Sequence, residues 1–136
     1  MENNCFTILR TYCSGNFNNS NSTNFDISSN VECSNETMDI NGNITVLSGG
    51  NLTFKNITLI FQAGADGSNF INKTENGGLW LYDNDNNAST LNDASNLSSN
   101  SSDFKYNFWA YGNGLRDNFT LQNSIIKGVG YSTKSQ

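Results

Sequence analysis

Histidine and proline are absent from the 136 residues, and charge is scarce, with 7 Lys and Arg against 12 Asp and Glu. Histidine is the commonest general acid/base and a frequent zinc ligand. Its absence removes Ser/His/Asp and Cys/His catalysis and most zinc sites, leaving only chemistry built on carboxylates. A net charge of −5 with dispersed cations offers no stripe for phosphates, so nucleic acid is not an expected partner. No run approaches the roughly 18 consecutive apolar residues of a membrane span. The first ten residues, Met1 to Arg10, lack a basic start and an apolar signal core, so the expectation is that a signal was removed or the chain was trimmed from something longer. Leu, Ile, Val and Phe fill only 31 positions, just above the composition of disordered chains and too few for a thick core.

What fills the space is Asn, Ser and Thr, 54 residues of which 26 are Asn. Eleven Asn-x-Ser/Thr triplets occur, at Asn18, Asn21, Asn35, Asn43, Asn51, Asn56, Asn72, Asn87, Asn96, Asn100 and Asn118. Chance in a chain of this composition gives about 5. The surplus points to N-linked glycans on a protein at the cell surface or outside the cell. Cys5, Cys13 and Cys33 all fall in the first quarter, where an oxidising setting favours disulfides. Two arrangements stay open: one bridge plus a buried thiol, or a leftover cysteine that bonds another subunit. No CxxC pair suggests a metal knuckle.

Residues 1–35 have weak periodicity and read as a Cys-containing N-terminal arm or cap. From 36 to 136 the character changes to short alternating runs closed by Gly or Asn, the mark of strands and tight turns; Asn41-Gly42, Asn76-Gly77 and Asn113-Gly114 are the turn signals. Three segments share one pattern of apolar, other, apolar, other, Asn or Asp. They are Leu52-Thr53-Phe54-Lys55-Asn56, Leu79-Trp80-Leu81-Tyr82-Asp83 and Phe119-Thr120-Leu121-Gln122-Asn123, starting 27 and 40 residues apart. The longer gap holds a polar stretch, 83–103, expected to be an inserted loop. Within it Ala88, Leu91, Ala94 and Leu97 recur every third residue and allow one helical turn. The Asn that ends each copy is expected at a bend, where its amide satisfies corner backbone and bonds to equivalent Asn side chains.

These segments, with Gly49-Gly50 ahead of the first and Ile125-Ile126 after the last, resemble right-handed parallel β-helix repeat proteins, in particular archaeal secreted and surface-layer-type ones. The resemblance covers roughly 38–131 and implies an all-β fold, a short right-handed solenoid of about three to four coils. It implies little about function, because the same coil serves lyases, adhesins and tailspikes.

Asp83-Asn84-Asp85-Asn86-Asn87 begins like a calcium loop, with oxygen ligands at Asp83, Asp85 and Asn87. Ala88 stands where glycine belongs and Ala94 where the closing Glu belongs, so a solvated acidic loop is the first reading and calcium the alternative; no cofactor is otherwise expected. No carboxylate pair nominates itself as catalytic. Trp80 and Tyr82 alternate with Leu79 and Leu81 and are expected to point outward, joined by Trp109 and Tyr111 if Phe108 and Ala110 face inward. Such a stripe is covered by another segment, seats a subunit, or stacks on sugars. The expected function is therefore a non-enzymatic, glycosylated structural protein. Its expected partners are copies of itself or adjacent domains of a surface protein, and the alternative is a carbohydrate-binding module or adhesin domain.

Overall fold

A computed structural model describes residues 24–112 and 118–130, and these are all-β with no helix. The strands are β1 (Phe25–Ile27), β2 (Asn30–Ile40), β3 (Ile44–Val46), β4 (Asn51–Phe61) and β5 (Phe70–Lys73), followed by β6 (Gly78–Tyr82), β7 (Asn96–Ser99), β8 (Asn107–Ala110), β9 (Phe119–Gln122) and β10 (Ile125–Ile126). Every strand pair among the described residues is parallel. One sheet runs β1-β3-β5-β8. The second runs β10-β7-β4-β6-β9, with β2 on the other side of β4.

Strand alternation sends every second side chain to one face, and in β4 that face holds Leu52, Phe54, Ile57, Leu59 and Phe61, all buried. The phase shift between Phe54 and Ile57 is absorbed at Asn56, whose left-handed φ of 51° bends the strand without breaking its pairing. Asn35 (57°) and Asn123 (48°) adopt the same conformation, which Asn tolerates better than other side-chain-bearing residues.

The three repeated segments lie side by side, with Leu52 paired to Leu79 and Leu79 to Phe119. The spacings of 27 and 40 residues are thus strand registers. Equivalent residues consequently stack: Cys33 on Phe54 on Leu81 on Leu121, and Met38 on Leu59 on Leu97 on Ile126. Ile44, Ile71 and Phe108 form another such row in the first sheet. One contiguous apolar cluster results. Lys73 sits in an inward row between Val46 and Ala110; it is buried, with Nζ donating to the carbonyls of Tyr111 (2.5 Å) and Thr74 (3.4 Å).

Three expectations need revision. The boundary at 35 falls inside β2, and β1 and the first half of β2 belong to the sheets rather than to an arm. Their apolar alternation is diluted by Cys33, Ser34 and Glu36, which hid it. The stretch 83–103 is not all loop, because Asn96–Ser99 is β7 and pairs with the second half of β4. The helical turn at Ala88, Leu91, Ala94 and Leu97 does not form: Leu91 is exposed, whereas Leu97 is buried in the stack. Among the glycines, Gly50 is the most constrained, since a Cβ there would overlap the carbonyl oxygen of Ile27.

Tyr106 is fully buried, stacked on Phe61 at 4.5 Å between ring centroids, and its hydroxyl has no hydrogen-bond partner. Burial raises its pKa well above the ordinary tyrosine value. The unfolded chain therefore loses this proton near pH 10 while the folded chain keeps it, so stability contributed by neutral Tyr106 is intact below about pH 10 and falls by up to about 1.4 kcal/mol per pH unit above it. Tyr106→Phe should flatten that component of the alkaline decline, seen in urea midpoints between pH 9 and 11. Phe54→Ala should cost about 3–5 kcal/mol in the same assay, because its neighbours on both sides are strands that cannot collapse into the gap.

Candidate functional site

Amide ladders are the first polar feature to emerge from this register. Asn43 Nδ2 donates to Asn24 Oδ1 at 2.8 Å, Asn51 to Asn30 at 2.6 Å, and Asn56 to Asn35 at 2.9 Å. Asn100 Nδ2 donates to Gln62 Oε1 (3.0 Å), and Gln62 Nε2 in turn donates to Asp39 Oδ1 (2.9 Å). The corner Asn56 and its neighbour are bonded as the sequence suggested, but the partner, Asn35, lies in the segment read as an arm.

Four sequon residues, Asn43, Asn51, Asn56 and Asn100, therefore use the nitrogen that would carry a glycan. Asn35, Asn87 and Asn118 are exposed, while Asn72 and Asn96 are half-buried with their carbonyl oxygens out of solvent. Asn18 and Asn21 lie outside the described residues, as do Cys5 and Cys13. Cys33 is buried and disulfide-bonded, and its only possible partners within the chain are the other two cysteines.

The four aromatic residues fall into two pairs. Trp80 and Tyr82 face outward on β6, half-buried, beside Thr53 and Lys55 on one flank and Thr120 and Gln122 on the other. Trp109 is on β8 in the other sheet, packed against Phe70 at 5.3 Å, with Tyr111 just beyond it; they are 40 % and 56 % exposed. Ala110 is exposed and Phe108 half-buried, Phe108 continuing the Ile71 row and packing on Phe119 at 5.6 Å. A single stripe is not built, because the two pairs belong to different sheets.

At the end of β6, Asp83 occupies the corner position held elsewhere by Asn56 and Asn123. The chain then leaves on an exposed excursion, 84–92, and returns to β7. The neck of this excursion is pinched: Ser95 Oγ donates to the Tyr82 carbonyl at 2.8 Å, and Asn84 N to the Asp93 carbonyl at 3.3 Å. Carboxylate oxygens of Asp83, Asp85 and Asp93 lie within 4.8 Å of one another. Asn87, expected as the third ligand, instead has its side-chain oxygen accepting from Ser89 N at 3.1 Å. Asp93, ten residues from Asp83, is brought in by the loop's closure, which no ligand-spacing rule anticipates.

The last feature is an edge. β8, β9 and β10 end their sheets among the described residues, with Val129 bridging back to Tyr106 beyond them; of their inward side chains, Phe108, Phe119 and Ile126 are partly buried. Leu81 is 0 % exposed, while Leu121, its in-register neighbour, is 45 % exposed.

No known protein family, curated protein or solved structure matches this chain. The ladders make one outcome measurable now. If the protein is produced where N-glycans are added, peptide mapping should find Asn35, Asn87 and Asn118 more fully occupied than Asn51 and Asn56; equal occupancy at all five would show that the ladder bonds do not limit attachment, since a glycosylated amide keeps one N–H to donate.

Proposed function

We propose that this chain is a short right-handed parallel β-helix serving as a non-enzymatic, N-glycosylated, extracellular structural subunit. Read as a solenoid, the strands make four coils: β1 with β2, β3 with β4, β5 to β7, and β8 to β10. Parallel crossovers are right-handed in nearly all known cases, which supports the hand. The inward face of the last coil, which among the described residues is bridged only by Val129 at Tyr106, carries the functional reading: Leu121 is exposed there, with Phe108, Phe119 and Ile126 partly exposed around it. An open edge of unpaired backbone and exposed core is satisfied by one more parallel coil. The coil of a second copy, or of an adjacent domain of a surface protein, supplies it, giving a filament, sheath or surface layer by head-to-tail contact. The Cys33 disulfide supports an oxidising compartment, and the sequon surplus agrees with it.

Light scattering and electron microscopy of the purified chain decide the matter. Self-association that grows with concentration is expected, and Leu121→Arg should weaken it at least tenfold, about 1.4 kcal/mol, without unfolding a side chain that is already exposed. A wild-type monomer at the highest attainable concentration overturns self-assembly.

A second reading, a carbohydrate-binding or adhesin module, is favoured by one observation, the exposure of Trp109 and Tyr111. Exposed rings of this kind stack on sugars. Under this reading Trp109→Ala with Tyr111→Ala abolishes retention on a polysaccharide column; the Leu121→Arg variant leaves retention intact.

A further inference from the structure

We propose that Asp83, Asp85 and Asp93 form a calcium site that clasps the neck of the 84–92 excursion, independent of whether the chain self-assembles. Proximity of acidic groups alone would mean little. The telling observation is Asp83 itself, only 6 % exposed, with both carboxylate oxygens out of solvent and without any hydrogen-bond partner. Asp93 Oδ1 is likewise buried and unpartnered. Burying a carboxylate without donors is among the costliest arrangements available to a protein. Here one stands within 4.8 Å of two more carboxylates.

The corner register makes the anomaly sharper. At the equivalent position Asn56 donates to the residue before it in the stack. A carboxylate cannot donate, so the ladder stops at Asp83 and its charge is left to be met by something else. No Lys or Arg meets it among the described residues, where the one ion pair is Lys55 with Glu32. A cation would match three converging carboxylates.

The donor set specifies the class of cation. All three side chains offer hard oxygen, with no imidazole or thiolate to favour zinc or copper. Calcium binds oxygens at 2.3–2.6 Å in flexible geometry, so ligand atoms on opposite sides of it stand about 5 Å apart; magnesium needs a tighter, near-octahedral set. Oxygens within 4.8 Å of one another can converge on one calcium ion, and a loop neck that is not an octahedral cage suits calcium's flexible geometry. Asp83 and Asp93 bind from the buried side and Asp85 from the exposed lip. Asp85 is held in place by Asn87 N on Oδ1 (2.8 Å) and Thr90 Oγ1 on Oδ2 (3.2 Å), each oxygen keeping a further lone pair for the metal. Because Asp83 directly follows β6 and Asp93 precedes β7, the ion joins the two ends of the excursion and fixes the loop to the sheet.

The test uses the full chain, stripped with a chelator and titrated with calcium chloride alone or magnesium chloride alone. Calorimetry should give a calcium dissociation constant on the order of 10⁻⁴–10⁻³ M and at least tenfold weaker magnesium binding. Hydrogen exchange at 84–95 should slow with calcium, and Tm should rise with its concentration. Asp83→Asn and Asp93→Asn should each weaken calcium binding at least tenfold, and Asp83→Asn should raise the Tm of the metal-free chain by removing the buried charge. If Asp83→Asn does not fold, Asp93→Asn carries the comparison. Absence of heat and of exchange protection at about 10 mM calcium, ten times the weak end of that range, overturns the site. So does calcium binding that survives in whichever of the two variants folds.

Discussion

In-register parallel stacking is the constraint from which the rest follows. Neighbouring strands lie about 4.8 Å apart, and each residue sits beside its structural equivalent rather than beside a complementary partner. Apolar residues accept this well, and the rows through Phe54 and Leu59 need only one or two side chains per strand to close a core. Charges of one sign do not, since like charges directly adjacent on a sheet repel. Amides do best among polar groups, because each both donates and accepts and so bonds to a copy of itself. The abundance of Asn and the scarcity of charge are therefore one fact seen twice. The one ion pair among the described residues keeps the rule: Glu32, in register with Thr53, reaches diagonally to the opposite charge of Lys55 in the neighbouring strand, 3.2 Å away.

The same constraint decides what could be read in the sequence. The three repeated segments were legible because a register leaves a repeat, and each copy carries two large inward side chains. β7 left almost no trace: Leu97 is its one buried apolar residue, and the strand is defined by pairing with Thr58–Phe61 rather than by its own pattern. β1 and β2 were missed for a related reason. Cys33 and Met38 fill inward positions that Phe54 and Leu59 fill in β4, and neither reads as a strand-former alone. Trp109 falls in the short run ahead of the third repeated segment and Trp80 within the second, so their different strands are legible, whereas which sheet each strand joins is a matter of connection lengths.

Sequons and ladders are entangled for a geometric reason. Asn43, Asn51 and Asn96 stand at or just before the start of β3, β4 and β7, where a ladder or corner amide is useful. The residue two places on points to the same outward face, and a small polar β-former such as Thr45, Thr53 or Ser98 suits it. Asn-x-Thr is thus what an outward-facing strand entry looks like, and part of the excess over chance has a structural origin. Triplets outside strands, such as the one at Asn87, owe nothing to that requirement and weigh more as glycan acceptors.

Polar satisfaction in such a stack is sequential: a member that accepts but cannot donate ends its row. Asp39 does this harmlessly at the outer strand β2, taking a bond from Gln62 and needing to give none. Asp83 does it in mid-stack, between the Asn56 and Asn123 corners, and buried. The position is also where the chain abandons the corner altogether and inserts the 84–92 excursion. Substituting a carboxylate for the corner amide removes the hydrogen bond that would hold consecutive corners together, so the backbone there is freed from the short bend. The excursion and the orphaned charge meet at one residue, and whatever compensates the charge also bears on how firmly the excursion is held.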